Sequence, residues 1–252
     1  MRIFLILAAS TLLAALPAHA GEATVAVASN FAAAARELAA DFESSTGNRL
    51  RIVVASTGKL YAQIVNGAPF DIFLSADASR PERLEQQGLV VPGSRRAYAL
   101  GRLVLWSRDP AAGRACVAYL VRSERATVAI ANPELAPYGL AARQYLESLG
   151  AWDSLEGRLV YGENVMQAFL FAARGGATFA LTAASIVAAA DASEASCSVM
   201  VPEESHEPVV QQYVQLERSA ENAAARAFAA YLRSARARRL ISAAGYALPA
   251  GE

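Results

Sequence analysis

The sequence predicts an α/β protein with two lobes, each formed by a mostly parallel sheet flanked by helices. Short β-branched runs alternate with helical segments from residue 24 to residue 88, and a second alternating series starts at residue 127. This order is typical of parallel sheets covered by helices. Two long extended segments, 98–106 and 209–216, bracket the second series. They predict two crossing hinge strands and an inserted second lobe, with the first lobe at 21–100 and 208–252 and the second at 101–207.

The first twenty residues have the features of a secretory signal sequence. Arg2 supplies a positive charge, residues 3–16 are apolar, and Ala18-His19-Ala20 fits an A-x-A cleavage site. The apolar segment is too short to span a membrane, and no other stretch is long and apolar enough. We therefore expect a mature protein that starts at Gly21, lies outside the cytoplasm and is not inserted in the membrane.

Composition and motifs exclude several classes of function. Lys and Arg total 23, Asp and Glu total 23, and there is no basic block, which argues against nucleic acid as a partner. No His or Cys cluster has the spacing of metal ligands. Gly-rich nucleotide-binding loops are missing as well.

The first strand and helix contain a candidate anion site. A buried strand over 24–27 is followed by Ser29 and Asn30, and apolar residues at helical spacing predict a helix over 31–42 with Asn30 as its N-cap. A helix N-terminus offers unpaired N–H groups and the positive end of the helix dipole, which together bind anions. Simple capping is the alternative, because most helices begin in this way.

The pattern repeats in the next strand and helix. A strand over 50–54 is followed by Ser56 and Thr57 at the start of a helix, and a third strand over 70–74 precedes a helix that should begin near Pro81. In an open parallel sheet these turns lie at the carboxyl ends of the strands, where ligands bind.

The rest of the chain continues the alternation of strands and helices. Strands are predicted near 103–105, 127–130, 159–161, 178–181 and 198–201, and helices over 141–149, 163–174, 185–190, 220–232 and 235–244.

The two cysteines, Cys116 and Cys197, both fall in the predicted second lobe. In an exported protein they can form a disulfide, and two buried thiols are the alternative. We expect the disulfide, because a link within one lobe would stabilise it without hindering hinge motion.

Several stretches resemble the periplasmic molybdate-binding proteins of ABC importers. They cover most of the mature chain in the family's order and read VAVASNFAAAARELAADFESSTG, ASTGKLYAQIVNGAPFDIFLSAD, YALGRLVLWS, NPELAPYG and LVYGENVMQAFLFAARGGATFAL. The resemblance implies a type II periplasmic binding fold that holds a tetrahedral oxyanion between its lobes. It also implies a membrane permease as partner, and we expect a monomer.

The resemblance implies a set of ligand residues from both lobes. The implied set is Ser29, Asn30, Ser56, Thr57, Tyr138 and Val165. The sequence departs from some family members at Thr182, where they place a tyrosine, and at Tyr138, where those members carry alanine. Tyr138 is therefore expected to compensate, through either its hydroxyl or its backbone N–H.

These residue types suit molybdate or tungstate, which are fully ionised near neutral pH and only accept hydrogen bonds. A site made of N–H and O–H donors satisfies them, at about 1.5–3 kcal/mol for each charge-assisted bond. No cofactor and no direct side-chain ligand to the metal are expected, since molybdenum enters only as the oxyanion. Another oxyanion, such as sulfate, or a small organic acid is the alternative ligand.

The sequence contains little that supports an enzymatic function. Ser56 to Lys59 fits S-x-x-K, but the K-T-G partner is impossible because Lys59 is the only lysine. His206 is interpreted as a solvated surface residue, and no G-x-S-x-G occurs. Asp71 and Asp77 are interpreted as strand-end caps and salt-bridge partners. We expect that the protein is not an enzyme.

Overall fold

The computed structural model describes residues 20–113, 115–190 and 194–250. The predicted signal sequence lies outside the described residues except for Ala20. The strands are β1 (Glu22–Ala28), β2 (Arg49–Ala55), β3 (Ile72–Leu74), β4 (Arg96–Gly101), β5 (Leu103–Ser107), β6 (Val128–Ala131), β7 (Leu159–Gly162), β8 (Phe179–Ala183), β9 (Cys197–Met200) and β10 (Val209–Gln215). The α-helices are α1 (Ala32–Thr46), α2 (Thr57–Val65), α3 (Ser79–Gln86), α4 (Cys116–Arg122), α5 (Pro137–Ser148), α6 (Val165–Ala173), α7 (Ala184–Ala189), α8 (Ala223–Leu232) and α9 (Ala235–Ala243).

The strands form two five-stranded sheets, in the orders β2-β1-β3-β10-β4 and β7-β6-β8-β5-β9. In each sheet the first three strands are parallel and the other two join in antiparallel pairs. The predicted α/β fold with two lobes is confirmed. Each sheet is mixed because one strand, β10 in the first sheet and β5 in the second, runs antiparallel to both of its neighbours.

The chain passes between the sheets at Arg102. The sequence predicted one extended segment over 98–106, but β4 belongs to the first sheet and β5 to the second. The return path differs from the prediction, because β10 lies wholly in the first sheet, bonded to β3 and β4. The chain therefore returns to the first lobe through residues 201–208.

Each sheet is packed on both faces. One apolar cluster fills the second lobe around Trp106 and Phe179, and two clusters cover opposite faces of the first sheet. Phe42 and Phe228 meet edge to face with ring centroids 5.2 Å apart. Burial of a side chain of this size contributes about 1.5–3 kcal/mol relative to its exposed state.

Several predicted helix starts differ from the structure; the helix expected from residue 220, for example, begins at Ala223. A 3-10 turn over Ser29–Phe31 precedes α1, and Asn30 does not cap it, because its side chain is used elsewhere. The third helix begins at Ser79, two residues before Pro81. The helix expected from residue 141 begins at Pro137, whose fixed φ suits the first helical position.

The expected disulfide between Cys116 and Cys197 is confirmed, with Cα atoms 6.1 Å apart. It joins the start of α4 to the start of β9, so it closes a loop that contains most of the second lobe.

Within the described residues, every helix is too short or too polar to cross a bilayer.

Candidate functional site

The two hydroxyl-bearing turns of the first lobe lie side by side. β1 and β2 are parallel and Ala28 pairs with Ala55, so Ser29 and Ser56 follow neighbouring strand ends. Ser29, Asn30, Ser56 and Thr57 are all at least 95% buried. The structure therefore brings the four predicted first-lobe residues to one edge of the sheet, where ligands bind in α/β folds.

The Ser56 hydroxyl is buried and has no hydrogen-bond partner among the described residues. Ser56 is the N-cap of α2, but its side chain makes no capping bond. An unsatisfied buried hydroxyl costs about 1–3 kcal/mol, so such groups are rare in folded proteins. This hydroxyl is consequently free to donate to a bound acceptor.

Thr57 holds the next turn of the first lobe in place. Its Oγ1 accepts a hydrogen bond from the backbone N–H of Ala76 at 3.3 Å. Ala76 follows β3, so the turns after β1, β2 and β3 meet at one edge of the sheet. The Thr57 hydroxyl hydrogen is not used by this bond.

The second lobe presents its own strand ends to this edge. Tyr138 lies in the first turn of α5 after β6, and Val165 begins α6 after β7. Asn164 caps α6 by accepting from the Gln167 N–H at 3.0 Å. The Val165 N–H lies in the first turn, where a helix has no internal acceptor, and α6 approaches the Ser29–Phe31 turn.

A buried polar network joins the lobes behind these turns. The Asn30 amide nitrogen donates to Gln211 Oε1 at 2.9 Å and to the Tyr246 hydroxyl at 3.1 Å. The Gln211 amide nitrogen lies 3.4 Å from the Tyr138 hydroxyl of the second lobe. Ser185, also from the second lobe, donates to the Asn30 carbonyl at 3.1 Å.

Three tyrosine hydroxyls of this network are held in their neutral form. Burial raises the pKa of Tyr98, Tyr138 and Tyr246 above the ordinary value, and neighbouring tyrosines raise those of Tyr98 and Tyr138 further. A neutral tyrosine can donate a hydrogen bond, whereas a tyrosinate cannot. The network therefore remains a set of neutral donors and acceptors throughout the neutral pH range.

Thr182 is directed at the start of α6. It is fully buried and its hydroxyl lies 3.4 Å from the Val165 carbonyl oxygen. It thus contacts the helix whose N-terminus faces the first lobe.

Asp71 and Asp77 are bonded to groups other than the predicted ligand residues. Asp71 is next to Thr24 at the opposite end of β1, where it accepts from the Thr24 N–H at 2.7 Å and pairs with Arg218. Asp77 accepts from Ser75 and pairs with Arg80. The interpretation of both as caps and salt-bridge partners is confirmed.

The residues of the enzyme-like motifs contact groups that give them no catalytic arrangement. The Lys59 ammonium lies 3.3 Å from Glu163 of the second lobe, so the S-x-x-K lysine is engaged with that carboxylate. His206 is partly exposed in its loop, with Nδ1 2.7 Å from the Glu207 carbonyl oxygen. Among the described residues, no group of three His, Cys, Asp or Glu side chains could hold a metal ion.

A groove of about 390 Å³ also lies between the lobes, but the predicted ligand residues do not line it. Its walls include Asp77, Arg80, Pro133, Gln144 and Val209. The groove adjoins the candidate anion site, since its walls include Ala76, which is bonded to Thr57, and Pro137, which precedes Tyr138.

Sequence reasoning missed Gln211, Tyr98, Tyr246 and Ser185. One signal could have indicated Gln211, because Val209, Gln211 and Tyr213 share the buried face of β10 at period two. A polar amide between two buried side chains needs a partner. The other three residues have no comparable local signal.

The chain matches the family model described as "Bacterial extracellular solute-binding protein" over residues 23–247. It is 44% identical over 232 residues to the molybdate-binding protein ModA of Rhodobacter capsulatus, covering 92% of this chain and 90% of the relative. It is 40% identical over 244 residues to ModA of Azotobacter vinelandii, covering 97% of both chains.

A solved structure of a relative is also similar to this chain. The periplasmic molybdate-binding protein of Azotobacter vinelandii superposes with a TM-score of 0.85 at 39% identity, covering 90% of this chain and 100% of that one. Its type II periplasmic binding fold corresponds to the two mixed sheets described above. The chain therefore belongs to the family of bacterial extracellular solute-binding proteins, together with these ModA relatives.

Proposed function

We propose that the protein is a periplasmic substrate-binding protein that captures molybdate, and also tungstate, for an ABC importer. The observation that carries the proposal is the buried Ser56 hydroxyl, which has no partner among the described residues, at an edge where N–H and O–H donors converge. Asp71 and Asp77 are each paired with an arginine. Such a site suits a dianion that only accepts hydrogen bonds. The ModA relatives at 40–44% identity support molybdate as the ligand.

Each proposed ligand residue has a defined role. The hydroxyls of Ser29, Ser56 and Thr57 donate to the anion, and so does the Tyr138 hydroxyl. Asn30 and Val165 contribute backbone N–H groups, because the Asn30 side-chain amide is already bonded to Gln211 and Tyr246. Thr182 positions α6 and does not contact the ligand.

The cellular context follows from the same proposal. We assign residues 1–20 to a cleaved signal, residues 21–100 and 208–252 to the first lobe, and residues 101–207 to the second. The mature protein acts as a monomer that delivers its ligand to a membrane permease. Binding-protein relatives support transport, rather than catalysis, as the role.

An oxyanion panel tests the ligand assignment. We expect molybdate and tungstate to raise the melting temperature of the mature protein by similar amounts, and sulfate at equal concentration to raise it far less. Sulfate is smaller, so its oxygens cannot reach every donor at once. The measurement is a thermal-shift series followed by calorimetry, and equal stabilisation by sulfate would overturn the assignment to molybdate.

Binding is expected to close the two lobes. Gly58 N–H donates to the Leu135 carbonyl at 2.8 Å, and Arg80 donates to the Glu134 carbonyl at 2.9 Å, so the structure has direct contacts across the cleft. Gly58 permits this approach, since a Cβ there would lie 3.0 Å from the Leu135 oxygen. An anion held by both lobes favours this closed state through contacts that the open state lacks.

Small-angle scattering measures this closure. The radius of gyration of the mature protein should fall when molybdate is added. A radius that stays constant at saturation, established by calorimetry on the same sample, would contradict closure on binding.

A further inference from the structure

We propose that Gln211 is a positioning residue that sets the direction in which the Tyr138 hydroxyl donates, and thereby favours a fully deprotonated oxyanion oxygen at that position. The inference rests on the proposed function, in which the Tyr138 hydroxyl binds the anion. It concerns a residue on a strand of the first lobe that acts through a side chain of the second.

Gln211 lies at an irregular point of a strand that is otherwise regular. It is fully buried in β10 and pairs with Ala99, and the register of β10 on β4 shifts between Gln211 and Gln212. Such bulges re-aim side chains and are common next to functional sites. The amide is thereby placed where the two lobes meet.

The hydrogen bonds of the network determine which way the Gln211 amide faces. The Tyr246 hydroxyl donates to the Asn30 carbonyl at 2.7 Å or to the Ser185 oxygen at 2.8 Å. In either case the hydrogen of the Tyr246 hydroxyl points away from the Asn30 side chain. The Tyr246 oxygen therefore presents only a lone pair to that side chain. The Asn30 group facing Tyr246 must therefore be the NH₂ group, which also donates to Gln211.

Gln211 Oε1 consequently faces Asn30 and accepts from it at 2.9 Å. The Tyr98 hydroxyl lies 3.1 Å from the same oxygen and 3.2 Å from the Ser75 carbonyl oxygen, so its single hydrogen is shared between these two acceptors. The Gln211 NH₂ group is left on the side of the second lobe, 3.4 Å from the Tyr138 oxygen. Tyr138 accepts this bond, and its single hydrogen remains available for the bound anion.

Gly101 leaves the space for this contact. A Cβ at Gly101 would lie 2.1 Å from the Tyr138 oxygen and 3.0 Å from the Gln211 amide nitrogen. A larger residue at the end of β4 would therefore separate the two groups. The approach of Tyr138 to Gln211 depends on the absence of a side chain at this position.

The direction of the Tyr138 hydrogen controls which protonation state of an anion fits. A hydroxyl whose hydrogen points at the anion can donate to an unprotonated oxygen. It offers no acceptor to an anion that carries its own O–H group. Hydrogen phosphate carries such a group near neutral pH, whereas molybdate, tungstate and sulfate do not. With Gln211 in place the Tyr138 hydroxyl faces the anion as a donor only, whereas the hydroxyls of Ser29, Ser56 and Thr57 keep lone pairs of their own.

The test is Gln211→Glu, which preserves the size of the side chain. An ionised carboxylate only accepts, so it would take the Tyr138 hydrogen and turn a lone pair toward the anion. We expect molybdate affinity to fall on the order of 10- to 100-fold at about pH 8. Affinity should recover toward about pH 6, because burial raises the pKa of a carboxyl group and its protonated form can again donate to Tyr138.

The wild-type protein should show no such pH dependence. The groups that face Gln211 are Asn30 and the neutral hydroxyls of Tyr98, Tyr138 and Tyr246. Asp77, which acts electrostatically on Tyr98, is paired with Arg80. Calorimetry of both proteins between these pH values measures the difference directly.

A double-mutant cycle with Tyr138→Phe separates positioning from simple charge repulsion. If Gln211 acts through the Tyr138 hydrogen, Gln211→Glu should cost little affinity in the Tyr138→Phe background. The pH dependence of that loss of affinity should also disappear there. A loss that persists unchanged in the Tyr138→Phe background would overturn the inference, and so would a Tyr138→Phe variant that binds as tightly as wild type. If wild type binds no molybdate, the proposed function itself fails.

A measurement on the wild-type protein keeps the inference testable if Gln211→Glu does not fold. Sulfate and hydrogen phosphate have similar size, so they can be compared as competitors of bound molybdate at about pH 7, where phosphate retains a proton. We expect sulfate to compete and hydrogen phosphate to compete at least tenfold less well. The preference for sulfate should shrink in the Tyr138→Phe variant. A preference that is unchanged in this variant would contradict the assigned direction of the Tyr138 hydroxyl, because the other hydroxyls of the site can also accept a hydrogen bond.

Discussion

The Ser56→Ala variant should bind molybdate on the order of 10- to 100-fold more weakly, while its unliganded form unfolds at the same temperature as wild type or higher. The Ser56 hydroxyl is buried without a partner among the described residues. Its removal therefore relieves a desolvation cost of the unliganded protein, but deletes a donor to the anion, worth about 1–3 kcal/mol. Calorimetry gives the affinity and circular dichroism gives the unfolding temperature.

Ser219→Ala is the matched control for this prediction. Ser219 is equally buried, but its hydroxyl donates to the carbonyl oxygens of Asp71 at 2.9 Å and Leu216 at 2.8 Å, at the other end of the first sheet. This control should lose stability and retain affinity, which is the opposite pattern. If Ser56→Ala also lost stability and bound molybdate normally, the hydroxyl would have a structural role and no role in the site.

Replacement of both Cys116 and Cys197 by alanine should lower the free energy of unfolding by about 2–5 kcal/mol. The bond joins residues that are 81 positions apart, and the enclosed loop includes the helices that carry Tyr138 and Val165. Without it, the unfolded second lobe gains conformational freedom. Denaturant unfolding of the unliganded protein at constant pH measures the loss.

Affinity for molybdate should change little in the same double variant, because both cysteines belong to one lobe and neither contacts the candidate site. Intact mass before and after alkylation of the native oxidised wild type provides the companion measurement. Two thiols that react freely there would contradict the bond. A large loss of affinity at unchanged stability would show that the disulfide instead shapes the site.

The strand-to-helix turns of the site could be predicted from sequence because their signals are local. The β-branched runs before Ser29 and Ser56, and the helical spacing after them, do not depend on distant residues. The inserted second lobe was also predictable, since two strand–helix series are visible on either side of an extended segment. The error in the return path arose because β10 has the composition of a crossing strand, but its partners β3 and β4 lie far away in sequence.

The role of Asn30 illustrates what local signals cannot provide. Its position before a helix predicted a cap, yet its amide donates to Gln211, 181 residues further along the chain. The Ser56 hydroxyl has equally good capping chemistry but remains without a described partner. The same local pattern thus leads to opposite outcomes at the two turns.

The sequence by itself determined the alternation of strands and helices, the two lobes and the positions of the hydroxyl-bearing turns. These features follow from periodicity and capping over a few residues. Only the tertiary structure decided which polar groups are satisfied within the protein and which remain for a ligand. That decision depends on buried partners such as Gln211 and Tyr246, and a buried hydrogen bond forms wherever folding brings two groups together, whatever their separation along the chain.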